Sequence, residues 1–151
     1  MNEHGYIRSI HRLLPPELLK WKIHDNYAGG VPDCFYAGAA GQLWVEYKWV
    51  SKLPTRPETV VKPKLSAQQL AWLIKMSGLS IPCAVIIGSP DGGLLLQYPS
   101  EWSQGLVNKE VRKRLRNAKQ IAKKLQTLCM ETSTNGKTHT VARQPRNFKE
   151  D

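Results

Sequence analysis

The chain is short of acid, of cysteine and of long apolar runs, and each shortage closes off a class of protein. It has 12 Asp+Glu against 22 Lys+Arg in 151 residues, a formal charge of +10. An excess of that size calls for a polyanionic partner, nucleic acid before an anionic membrane surface. Only three cysteines occur, Cys34, Cys83 and Cys129, with no Cys-x-x-Cys pair. That argues against a disulfide framework and against a zinc ribbon. His4, His11, His24 and His139 keep no metal-ligand spacing. No run nears the ~20 apolar residues of a membrane span, and the opening MNEHGYIRSIHR is too polar for a secretory signal. A reducing cytoplasm, bacterial or that of a phage-infected host, is the expected compartment, with no membrane partner. No Ser or Cys nucleophile motif and no phosphate-cradling glycine loop is present.

What is there supports one globular domain. The hydrophobic fraction is 41%, with five Trp, enough for a sizeable core. Glu3 to Leu14 carries apolar residues at helical steps, and Pro15-Pro16 ends that helix. Leu18 to Ile23 alternates from Leu19 on and reads as a half-exposed strand. Asp25 to Gly30 is turn chemistry. Asp33 to Ala37 and Leu43 to Val50 read as two strands joined by a glycine-bearing turn, an antiparallel hairpin. Ser51 to Lys64 reads as an extended basic loop. Ser66 is an expected N-cap for a helix over 67–76, with Gly78 at its stop. CAVII at 83–87 has the look of an interior strand, and Leu94 to Tyr98 reads as a fifth strand after a turn. Trp102 falls in a link. Val107 to Met130 reads as one long basic helix, and the polar tail from Thr132 is expected to be disordered.

Charge inside two of these strands is the informative feature. Burying an unpaired carboxylate or ammonium costs several kcal/mol, so such groups are usually paired or bound to metal. In Leu43 to Trp49, alternation puts Leu43, Val45, Tyr47 and Trp49 on one face and Trp44, Glu46 and Lys48 on the other. Asp33, after Pro32, can pair laterally near Glu46 from the preceding strand. Two carboxylates and an ammonium would then converge at one end of the sheet. Convergent carboxylates are commonly reconciled by a hard divalent cation, Mg2+ or Mn2+. With a +10 chain, the phosphate at hand would be nucleic acid, and the chemistry metal-assisted phosphodiester hydrolysis. An isolated Glu-x-Lys triplet would instead read as a surface ion pair. The upstream Pro-Asp, the strand–turn–strand context, the basic charge and the following helix move the reading toward a site.

GVPD at 30–33, VEYK at 45–48 and LSAQQLAWL at 65–73 resemble the PD-(D/E)xK nuclease superfamily. Within it the resemblance is to the virus-type replication-repair nuclease group, kin to Holliday-junction resolvases. It covers roughly residues 1 to 90. It implies an α/β fold with a restriction-endonuclease-like core: a mixed central sheet in the order α-β-β-β-α-β flanked by helices, with an added C-terminal basic helix. It implies a Mg2+-dependent DNA endonuclease, with Mn2+ able to substitute, acting on branched or structured DNA. A non-catalytic nucleic-acid-binding protein that keeps the nuclease fold is the alternative. The resemblance makes Asp33 and Glu46 metal ligands and adds the backbone carbonyl of Tyr47. Lys48 becomes the motif lysine, and Gln69 the glutamine of the downstream helix, with Gln68 as fallback. A glutamate of the first helix completes the family's pattern, and Glu3 or Glu17 could supply it.

The expected organisation is a nuclease core over 1–106, a basic helix over 107–131 packed on or extending from it, and a tail over 132–151. Lys52, Arg56, Lys62 and Lys64 follow the site strand directly and could track a phosphate backbone. Arg112, Lys113, Arg114, Arg116 and Lys119, with Lys109, Lys123 and Lys124, give the C-terminal helix a second expected DNA contact. A homodimer is a further expectation, since paired cuts in a junction need two symmetric subunits.

Overall fold

Every residue from Cys83 to Ser89 is buried, as a strand covered on both faces must be. Around it the computed structural model, which describes residues 1–24 and 29–132, assembles a five-stranded sheet. In chain order the elements are α1 (Glu3–His11), β1 (Leu19–Lys22), β2 (Cys34–Gly38), β3 (Gly41–Trp49), β4 (Val60–Val61), α2 (Ala67–Gly78), β5 (Cys83–Ser89), β6 (Gly92–Leu96), α3 (Pro99–Gln104), β7 (Leu106–Val107), α4 (Asn108–Arg114) and α5 (Ala118–Met130). The sheet order is β1-β2-β3-β5-β6. Neighbours are antiparallel except β3 and β5, which run parallel across the α2 crossover. The expected mixed sheet, flanked by helices, is therefore present.

Alternation sorts the core into two layers. Val45, Tyr47, Ala84 and Ile86 pack under α1 and α5 with Ile7, Ile10, Ile121 and Leu125. Cys83, Val85 and Ile87 face the other way, against Leu73 of α2, Trp102 of α3 and Val111 of α4. Burial of such side chains is worth roughly 1.5–3 kcal/mol each.

The C-terminal part differs from the expected single helix over 107–130. Leu115 is extended (φ −61°, ψ 135°), and two helices result. Arg116 instead pairs with Gly93 at the sheet edge. Asn117 restarts the helix: its side chain accepts from the Gln120 amide at 2.9 Å, and Gln120 returns the bond at 2.8 Å. That reciprocal capping favours a new N-terminus over a continued helix. Two smaller differences follow. Trp102 lies in a helix, its indole N–H donating to the Leu96 carbonyl at 2.8 Å. The 51–64 loop contains β4, paired to β7. The turn expected at 25–30 lies outside the described residues at positions 25–28, and the tail lies outside them from 133 on.

Gly29 and Gly30 set α2 against the mouth of β2. Gly30 has φ +87°, and a Cβ there would stand 2.4 Å from the Gln68 carbonyl oxygen. At Gly29 a Cβ would meet the Gln68 side chain at 2.3 Å, and that side chain is exposed and free to move. Gly30→Ala is thus expected to lower the melting temperature more than Gly29→Ala, because backbone cannot yield and φ is left-handed. Equal shifts in thermal unfolding would contradict this packing. Leu125→Ala tests the place of α5. A core helix predicts a loss of about 2–5 kcal/mol in urea unfolding, an appendage almost none.

Candidate active site

Where β3 runs past the end of β2, its charged residues meet two other elements. Cys34 stands opposite Val45, so Asp33 comes beside Glu46. Asp33 Oδ2 accepts the backbone N–H of Tyr47 at 2.8 Å. Its own carbonyl accepts from Ile23 N at 2.8 Å, which carries β1 up to the same level. The register places Pro32 opposite Tyr47. Proline has no N–H, so β2 cannot donate to the Tyr47 carbonyl there. The Pro-Asp pair thereby frees one backbone oxygen beside one carboxylate.

The first turn of α2 closes the site. Gln69 Nε2 donates to Glu46 Oε1 at 3.0 Å, and Gln69 Oε1 accepts from Lys48 Nζ at 3.1 Å. Lys48 Nζ lies 3.5 Å from Glu46 Oε1. The amide oxygen of Gln69 also accepts from Ser66 N at 3.0 Å, while Ser66 Oγ accepts from Gln69 N at 3.1 Å. This is a Ser-x-x-Gln capping box whose glutamine also reaches the sheet. Gln68 points elsewhere, onto Gly29.

Glu46 is 2% exposed. Burial pushes its carboxyl up to about 8; the neighbouring Asp33 carboxyl adds to this, and Lys48 opposes it. One ammonium is therefore too little positive charge for the pair. The available donors are all oxygen: two carboxylates and the Tyr47 carbonyl. Such a set fits a hard divalent cation.

Glu3, in the first turn of α1, flanks this pair. Burial and then Asp33 raise its carboxyl above the usual range, and Lys48 acts the other way. Among the described residues no three His, Cys, Asp or Glu side chains are close enough together to hold a metal ion. Glu3 as placed is a neighbour of the pair. Glu17 precedes β1 at Leu19, which pairs with Ala37 at the far end of β2 from Asp33.

The basic residues divide into two kinds. Lys52, Arg56, Lys62 and Lys64 are exposed on the loop leaving β3. That loop is fastened: Asn108 Nδ2 donates to the Pro54 and Arg56 carbonyls at 2.8 and 3.1 Å, and Leu53 and Val61 are buried. Arg112 donates to Asp91 and to the Pro54 carbonyl, and Arg114 to the buried Glu101 and the Leu95 carbonyl. Both guanidiniums thus have partners within the chain, Arg112 from an exposed position and Arg114 half-buried. Lys113 pairs with Glu110, Lys119 is exposed, and Arg116 borders a cleft with Met1 and Trp49.

Sequence reasoning missed a buried polar chain behind the site. Tyr47 OH and Tyr36 OH lie 2.7 Å apart, and Tyr36 OH is 2.7 Å from His11 Nε2. It satisfies two buried hydroxyls and fixes β3 from the core side. Tyrosines on the same face of two adjacent strands were the available signal.

No protein-family model and no curated protein sequence matches the chain. Among solved structures it is similar to Hjc of Archaeoglobus fulgidus, a Holliday junction resolvase from an archaeal hyperthermophile. Identity is 14%, the TM-score 0.51, and the match covers 82% of this chain and 97% of that one. No helix of the described residues is long and apolar enough to cross a membrane. The fold shared with that resolvase is the restriction-endonuclease-like one, and it is the fold of this chain.

Proposed function

We propose that the protein is a Mg2+-dependent DNA endonuclease of the PD-(D/E)xK superfamily that acts on branched or structured DNA. One observation carries the reading: Glu46, Lys48 and Gln69 form one hydrogen-bonded cluster where β3 meets α2, and Asp33 stands beside them from the end of β2, held by the Tyr47 N–H. Its support from outside the chain is the fold shared with a Holliday junction resolvase. The letters GVPD, VEYK and LSAQQLAWL favour the virus-type replication-repair nuclease group within that superfamily.

Asp33, Glu46 and the Tyr47 carbonyl would hold the ion, Mg2+ or Mn2+. When bound, such an ion would supply an acidified water and neutralise charge on the scissile phosphate. Lys48, its side chain 20% exposed, faces that space and can donate to the attacking water or to a phosphate oxygen. Gln69 holds Lys48 and Glu46 in place. Lys52, Arg56, Lys62 and Lys64 would follow the phosphate backbone away from the site, and Lys113, Arg116 and Lys119 would add contacts farther along the DNA. Arg112, exposed, and Arg114 would meet DNA from positions where each also has partners within the chain. A symmetric homodimer would let two sites cut paired strands, in the cytoplasm of a bacterium or of a phage-infected host.

The test is cleavage of a four-way junction, a flap, a nicked duplex, a single strand and a plain duplex, each with Mg2+. Cleavage should appear with Mg2+ or Mn2+ and vanish in EDTA. Asp33→Asn, Glu46→Gln and Lys48→Ala should each cut at least about a hundredfold more slowly while still shifting DNA in gels. Full activity in Glu46→Gln would refute the assignment, and salt-sensitive binding without turnover in the wild-type chain would leave a binding protein only.

A further inference from the structure

On the face that carries Glu46 and Lys48, the next row of side chains toward the start of β3 is aromatic. Trp21 pairs with Phe35 across β1 and β2, and Phe35 with Trp44 across β2 and β3. The ring centroids are 6.4 and 4.7 Å apart, and Trp44 lies 5.3 Å from Trp72 of α2. One row therefore runs from the sheet edge to the helix. Ile23, Asp33 and Glu46 form the adjacent row, about 7 Å away along the strands.

The row is not core throughout. Trp102, an interior tryptophan of this chain, is 1% exposed, whereas Trp21 is 55% and Leu19, on the same face of β1, is 56%. Helix α2 covers the sheet as far as Trp44 and leaves β1 open. Beside the row lies a cavity of about 480 Å3, lined by Trp21, Lys22, Ile23, His24, Val31 and Trp44. Trp21 meets Phe35 edge-on, which leaves the Trp21 ring itself open to solvent, and an open aromatic face binds nucleobases by stacking with little dependence on sequence. Double-stranded DNA hides those faces within its own stack. The net charge of +10 suits the phosphate that comes with each base.

We propose that Trp21, with Phe35 and Trp44 behind it, is a stacking platform for an unpaired base of the DNA substrate. This rests on the nuclease reading, and it specifies the substrate class: DNA with unpaired nucleotides next to the scissile phosphate. A base held on the row leaves its backbone over Asp33 and Glu46, one row away. Fully paired ends would gain nothing from the platform, while a splayed arm or open junction centre would.

Binding is measured in EDTA with the full chain, so that no cutting is needed. The probes are a labelled single strand, the matching plain duplex and a duplex with one splayed arm. Trp21→Leu keeps apolar bulk but cannot stack. It should bind the single strand and the splayed probe about tenfold more weakly, the loss expected of one base–aromatic contact, and the plain duplex within about twofold of wild type. Trp21→Phe should recover most of the loss. Wild-type binding of all three probes by Trp21→Leu overturns the proposal. So does a Trp21→Leu chain that elutes as a monomer where wild type elutes as a dimer, with unaltered DNA binding, since the patch would then join two copies. Mg2+-dependent cutting by the wild-type chain is scored separately, so failure of the nuclease reading shows as intact DNA with the stacking preference retained.

Discussion

The amide of Gln69 is the contact on which the site's geometry depends. Among the described residues it is the one group that touches both charged residues of β3 and the helix cap at once. Its orientation is forced. The NH2 must face the Glu46 carboxylate and the oxygen must face the Lys48 ammonium; the flipped amide would set acceptor on acceptor and donor on donor. Hydrogen bonds to charged groups are worth about 1.5–3 kcal/mol each. That amount offsets part of the cost of holding Glu46 at 2% exposure, and it is lost as a unit if α2 moves. Gly29 and Gly30 matter for the same reason, because they let the chain pass flush against the backbone of Gln68.

β2 provides the counterpart on the other side of Glu46. A strand that simply continued would pair its backbone with Tyr47. Pro32 prevents that, and the Asp33 side chain takes the Tyr47 N–H in place of a backbone carbonyl. The strand thus ends in an acid held rigidly by its neighbour. On the opposite face Tyr47 is anchored through Tyr36 to His11, so the backbone that presents Asp33, Glu46 and Lys48 is fixed from both sides of the sheet. Side chains locked by such supporting bonds keep the spacing that metal and phosphate chemistry demands.

The charged face was legible because a strand has period two. Once Val45 and Tyr47 are given to the core, Glu46 and Lys48 have nowhere to go but the other side. The burial of CAVII was legible for a similar reason: a run with no polar member has no face for water. The break at Leu115 was not. Val111, Leu115, Ala118, Ala122 and Leu125 keep helical steps straight through it, so apolar periodicity cannot see the break. Only the local Asn117-x-x-Gln120 signal marks it. The internal use of Arg112 and Arg114 was also hidden. Their partners, Asp91, Glu101 and two carbonyls, are distant in sequence, and a basic residue looks the same whether it meets solvent, DNA or its own fold.

Alternation has a further limit that bears on β1. It says which residues share a face, but not whether anything covers that face. Leu19, Trp21 and Ile23 share the face of Glu46, and an apolar strand face is ordinarily assigned to the core. Here α2 follows β3 in the chain and returns to it through β5, so it sits over the middle of the sheet. The edge strand is left with its apolar face outward and its lysines half-buried. The same placement of α2 that brings Gln69 onto Glu46 and Lys48 also leaves Trp21 uncovered. Charged cluster and open aromatic edge are two consequences of where one helix ends, and this is why they lie one row apart on a single face.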